Sequence, residues 1–119
     1  MSFDDLTIAT ERIDTVYVTK LQGALSGDTQ EKCVQALKGP LKNGSVILDL
    51  EELSILTSRG ILALQQLNEI SYLQKTKVIL INVPVPIRQA MSMAGVKDLF
   101  PLAPNEEVAF KLASKGIKQ

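Results

Sequence analysis

Ser45-Val-Ile-Leu-Asp-Leu50 is followed, six residues later, by Thr57-Ser58-Arg59-Gly60 and then by a run to Leu73 free of Gly and Pro. The first segment is apolar except at Ser45 and Asp49. It predicts a central strand covered on at least one face. In the last segment Ala63, Leu64, Leu67, Ile70 and Leu73 recur at helical spacing. They predict an amphipathic helix from Gly60 to about Leu73 with those residues as its core stripe. Gln65, Gln66, Glu69 and Tyr72 fall off the stripe, and Leu62 sits at its margin, partly exposed. The polar elbow between strand and helix follows the carboxyl end of a central strand. In open α/β sheets that is where ligands and functional loops collect.

Working outward, Leu6-Thr-Ile-Ala-Thr10 and Thr15-Val-Tyr-Val-Thr-Lys-Leu21 alternate apolar and polar residues. They predict two strands of an antiparallel hairpin that turns at Glu11-Arg12 and breaks at Gly23. Asp28 with Glu31 three residues on suggests a capped helix start. The helix is expected to present Cys33, Val34, Ala36 and Leu37 and to stop at Gly39-Pro40. Lys77-Val-Ile-Leu-Ile-Asn82 reads as a further buried strand. Pro84 and Pro86 open a helix carrying Ile87, Ala90, Met91 and Ala94, closed by Gly95. A short edge strand is expected between Val96 and Leu102. A last helix follows, capped by Asn105, with Val108, Ala109 and Leu112 inward and a fraying tail over Gly116–Gln119. The order is β-β-α-β-α-β-α-β-α. We therefore expect a single α/β domain over residues 1–119, with a mixed sheet of about five strands and about four helices.

Composition narrows the function. Of 119 residues, 45% are apolar and 22% charged, which suits a packed core rather than disorder. Thirteen basic residues balance thirteen acidic ones, so no basic excess drives nucleic-acid binding. No apolar run approaches the roughly 18 residues of a membrane span. Met1-Ser-Phe-Asp-Asp5 lacks a signal-peptide pattern, and the expected location is the cytoplasm. The chain has no His and one Cys, which removes His-based acid-base catalysis, His metal sites and disulfides. Cys33 falls in an amphipathic pattern and reads as a buried core thiol. No cofactor or metal is expected, and nothing points to an enzyme. The chain has no Gly-rich phosphate loop and no carboxylate pair at the elbow.

At the elbow two capping registers compete. With Thr57 as N-cap, Leu56 and Ile61 form a hydrophobic staple and the Ser58 hydroxyl is free. With Ser58 as N-cap, its oxygen is occupied by the backbone. We expect the first, because only it supplies a staple. In both, Ser58 stands at a helix N-terminus, where free N–H groups and the macrodipole favour negative charge. A phosphate there would add about −1.5 to −2 charge at pH 7 without rearranging the fold. Gly60 is expected to leave the neighbouring backbone uncovered for a partner. Arg59 opposes the dipole at a cost of about 0.3–1 kcal/mol, which an anion on Ser58, Glu51, Glu52 or an acidic partner would offset. Residue type alone reads Ser58 as an ordinary cap and Arg59 as a solvent-screened cation.

The elbow in this setting resembles the STAS domain of bacterial anti-sigma-factor antagonists. Their hallmark is an apolar strand, a few residues, then Asp-Ser-Ser/Thr-Gly-Leu opening a long helix. Here the match is Val46-Ile-Leu-Asp-Leu50, then Thr57-Ser58-Arg59-Gly60-Ile61. Leu21-Gln-Gly-Ala-Leu25 and Met93-Ala-Gly-Val-Lys-Asp-Leu-Phe100 look like two further family segments. The resemblance implies a partner-switching circuit. An anti-sigma factor that is also a serine kinase would phosphorylate Ser58, and a serine phosphatase of the metal-dependent class would reset it. Thr57, Ser58, Arg59, Gly60 and Leu62 would line the partner surface. The chain departs from the pattern at Thr57, in place of Asp, and at Arg59, in place of Ser/Thr. Ala24 and Ser26 also stand where the family has acidic residues. These departures favour an alternative: a STAS scaffold in a signalling assembly, or a transporter's accessory subunit, without phosphorylation.

Overall fold

Strand order follows from which segments are apolar on both sides. The computed structural model of the protein describes residues 5–117. It contains β1 (Leu6–Ile13), β2 (Val16–Leu25), α1 (Gln30–Asn43), β3 (Ser45–Asp49), β4 (Leu53–Leu56) and α2 (Ser58–Gln74). Then come β5 (Val78–Ile81), α3 (Val85–Met93), a one-turn 3-10 helix (Lys97–Leu99), β6 (Leu102–Ala103) and α4 (Glu106–Ile117). The sheet runs β1-β2-β3-β5-β6, and β4 also pairs with β2. β1 and β2 are antiparallel, whereas every other pair is parallel, so the sheet is mixed as expected. All five residues of β3 and all four of β5 are buried, because helices cover both faces. The large core lies between the sheet and α1, α2 and α3, around Leu21, Leu37, Leu48, Leu64, Leu80 and Met91. A smaller one, with Ile47, Ile79 and Ala109, lies under α4.

Several boundaries differ from the sequence reading, each for a local reason. The hairpin turns at Asp14, not at Glu11-Arg12. Asp14 adopts φ 62, which a short polar residue tolerates. Pairing runs through Glu11-Arg12, helped by Thr10 Oγ1 to Thr19 Oγ1 at 2.9 Å and by Arg12 over the Tyr17 ring. Gly23 does not end β2. Its φ of 111 absorbs a register shift between Gly23 and Ala24, and the strand continues to Leu25. That continuation pairs with β4, a sixth strand hidden in the sequence by its length and its exposed Ser54 and Ile55.

Helix α1 starts after Thr29 rather than Asp28, and it passes through Gly39-Pro40 to Asn43. Burial of Leu41 in the main core outweighs the donor lost at Pro40. Ala36 is exposed; the inward face is Cys33, Val34, Leu37 and Leu41. In α2, Leu73 leaves the core stripe at 71% exposure, and the stripe continues instead to Ser71. At about 100° per residue Leu73 stands opposite Leu64 on the helix. In α3, Ile87 and Met91 are buried while Ala94 is exposed, and Gly95 with φ 74 ends the helix. There Val96 N donates to Met91 O and Gly95 N to Ser92 O, both at 3.0 Å. The strand expected over Val96–Leu102 is mostly the 3-10 turn. Val96 and Phe100 anchor it in the core, and pairing begins only after Pro101. Asn105 caps α4 as expected, accepting from Val108 N at 3.0 Å. Of the tail expected to fray, Gly116 and Ile117 belong to α4, and residues 118 and 119 lie outside the described residues.

Candidate functional site

The elbow is built by two strands that end side by side. Leu25 pairs with Leu56, so the ends of β2 and β4 deliver Ser26-Gly27 and Thr57-Ser58 to the same edge. Thr57 N donates to Leu25 O at 3.1 Å and locks the turn. Thr57 is extended, at φ −94 and ψ 173, and its side chain accepts from Gly60 N at 3.2 Å. It is therefore the N-cap of α2. Leu56 and Ile61 pack into one core cluster, the arrangement of a hydrophobic staple. The register with Thr57 as cap is the one the chain adopts, and Ser58 is the first helical residue.

Thr57, Ser58, Arg59 and Leu62 are all exposed, Leu62 at 46%. Gly60 is not. A Cβ on Gly60 would overlap the carbonyl oxygen and carbon of Leu25, so this glycine permits close packing of α2 on β2. The expectation that Gly60 leaves backbone uncovered is corrected on that ground: it faces Leu25, away from a visitor. The first turn of α2 contains no acidic residue. The N-terminal N–H groups of Ser58 and Arg59 therefore lack an acidic side chain from their own turn.

Two features of the site were not legible in the sequence. The first lies under the β2–α1 loop. Thr29 Oγ1 donates to Ala24 O at 2.8 Å and accepts from Ser26 N at 3.0 Å, which ties the loop to the strand end. Ser26 is buried, and its Oγ has no partner among the described residues. The second is a cleft of about 370 Å³ between the N-terminal halves of α1 and α2. Gln30, Glu31, Gln35, Gln66 and Arg59 line it, with Gly27 at its edge. Gln30 Nε2 donates to Gln66 Oε1 at 3.3 Å across the two helices. The residues sit far apart in sequence, so only the parallel packing of α1 and α2 brings them together.

Cys33, between these helices and the sheet, is buried, and burial pushes its thiol up to about 12. It is a core residue rather than a reactive one. Among the described residues no group of His, Cys, Asp and Glu is arranged to hold a metal. No described helix is long and apolar enough to cross a membrane.

Comparison with known proteins agrees with this architecture. An anti-sigma factor antagonist from Mycobacterium paratuberculosis has a similar structure, with a TM-score of 0.78 and 21% identity over 95% of this chain and 97% of that one. The anti-sigma factor antagonist SpoIIAA in its unphosphorylated form gives 0.75 at 18% identity, covering 91% and 97%. The phosphorylated Bacillus protein SpoIIAA gives 0.68 at 18% identity, covering 89% and 99%. At these identities the likeness is one of fold. No curated protein matches the sequence. The family model of the STAS domain matches residues 7–109, which include both strand ends, the elbow and all of α2, and the chain belongs to the STAS domain family.

Proposed function

We propose that this chain is an anti-sigma-factor antagonist acting as one STAS domain over residues 1–119. In this reading it binds an anti-sigma factor that is also a serine kinase, in the cytoplasm, and Ser58 is the switch. The observation that carries the reading is the division of labour at the elbow. Thr57 caps the helix, so the exposed Ser58 hydroxyl at the first helical position is not needed for the cap. A kinase would pass the γ-phosphoryl group of ATP to Ser58 Oγ. The hydroxyl proton would go to the kinase's base, and ADP would leave. The phosphate would meet the positive end of α2, so the host fold tolerates it. The added charge would act outward, on a partner surface that also touches Thr57, Arg59 and Leu62, with Gly60 setting the packing beneath. A serine phosphatase of the metal-dependent class would remove it.

The test mixes the kinase-type partner with wild type, Ser58→Ala and Ser58→Asp. The first two should bind and the third should be released. Equal binding by all three would sink the switch. A second reading has one specific observation behind it. Thr57 and Arg59 replace the family's residues on either side of the serine, which suits an unphosphorylated STAS scaffold or an accessory subunit of a transporter. That reading expects native protein with no phosphate by intact mass, recovered in a large assembly.

A further inference from the structure

Arg59 is a cation in a place where its own helix repels it. It stands in the first turn of α2, which has no acidic residue, and among the described residues it forms no ion pair. Its stem runs beside the β2–α1 loop. A Cβ built on Gly27 would stand 3.5, 3.6 and 3.1 Å from Arg59 Cβ, Cγ and Cδ, so the stem runs in close contact with this glycine. The stem is laid along the β2–α1 loop and lines the cleft between α1 and α2.

The rest of the cleft matches a peptide. Gln35, and the amide groups that Gln30 and Gln66 keep beyond their mutual hydrogen bond, offer donors and acceptors suited to a backbone. A guanidinium fork matches a carboxylate in two parallel hydrogen bonds. Arg59 is not placed to read a phosphate on its neighbour, since successive helical residues project about 100° apart. With one arginine lining the cleft and a zero net charge on the chain, a nucleic-acid backbone is also a poor fit.

We propose that the cleft between α1 and α2 receives an acidic side chain, Glu or Asp, from an extended segment of a partner protein. Arg59 pairs with its carboxylate, and the glutamines hold the flanking backbone. This deepens the reading above and rests on it only for the partner's identity. Glu31 is the carboxylate among the described residues that line the cleft, and it would compete for Arg59.

The test titrates isotopically labelled full chain with the capped peptide acetyl-Gly-Glu-Gly-amide and, separately, with its Lys counterpart. The Glu peptide should shift the Arg59 Nε–H and the Gln30 and Gln66 side-chain amide resonances, and the Lys peptide should not. Arg59→Gln should weaken the response at least tenfold with the remaining spectrum unchanged. Glu31→Gln should tighten it two- to threefold. A response that survives Arg59→Gln, appears with the Lys peptide, or is absent altogether overturns the proposal. With the kinase-type partner, Arg59→Glu should weaken binding at least tenfold while Ser58→Asp still causes release. Binding that obeys Ser58 and ignores Arg59 removes this proposal and leaves the switch. Binding that obeys Arg59 and ignores Ser58 does the reverse.

Discussion

Gly60 and the carbonyl of Leu25 are packed so closely that no side chain fits between them. The same carbonyl accepts from Thr57 N at 3.1 Å, so one oxygen sets both the turn and the approach of α2. Gly60→Ala should lower unfolding free energy by about 1–3 kcal/mol, the cost of forcing atoms into a full site. Gly39 is the control, because a Cβ there meets nothing within 4 Å. Gly39→Ala, inside α1, should raise stability by up to about 1 kcal/mol. Urea unfolding of both variants checks the pair, and equal signs would refute the packing argument.

Capping falls on Thr57, and the proposed switch on its neighbour Ser58. Thr57→Ala removes the acceptor for Gly60 N and should cost about 1 kcal/mol. Ser58→Ala should change stability by no more than about 0.5 kcal/mol. Ser58→Asp should add about 0.3–1 kcal/mol by complementing the helix N-terminus, less at high salt. Thermal unfolding at two ionic strengths measures all three.

Cys33 should be silent while the chain is folded. Burial holds its thiol at about 12 against an ordinary 9.0. The folded state therefore keeps a proton that the unfolded chain gives up. The sign follows: the contribution is intact below about pH 9 and is lost as pH rises from there toward 12. Relative to Cys33→Ala, wild type should lose stability across that window. A thiol reagent at pH 8 should react only at the rate of unfolding, and a burst of labelling would contradict the buried assignment.

Asp5 gives the opposite limb. Its carboxyl is held below the ordinary 3.8 first by the Leu6 backbone N–H and then by Lys32. A depressed carboxylate favours the fold above its unfolded value and loses that contribution as pH falls below it. The stability difference between wild type and Asp5→Asn should be constant from pH 6 to 5 and shrink below about pH 4. It should be small, because the group is exposed.

The long periodic segments were readable because burial there follows the chain's own period. β3, β5 and the start of α2 needed no information from elsewhere, and the staple pair Leu56 and Ile61 was enough to favour Thr57 over Ser58 as the cap. The misreadings sit where a distant group changed the local outcome. Pro40 stays helical because Leu41 is buried and Thr76 Oγ1 reaches Leu41 O at 2.9 Å. Gly23 stays in a strand because β4 pairs beyond it, with Ser54 Oγ donating to Gly23 O at 3.0 Å. Leu73 is a different miss, because nine residues beyond Leu64 it lies on the opposite side of α2 by local helix geometry alone.

By itself, the sequence determined that an apolar strand runs into a helix capped at Thr57 or Ser58, with a hydroxyl at its mouth. Those are properties of neighbouring residues, fixed by backbone geometry and solvent exclusion over a few positions. Only the tertiary structure decided that Gly60 belongs to packing against Leu25. It alone laid Arg59 along Gly27, in the cleft that Gln30 also lines. Such contacts join residues about thirty or more positions apart, and they exist only once parallel crossovers bring α1 and α2 together on one sheet face.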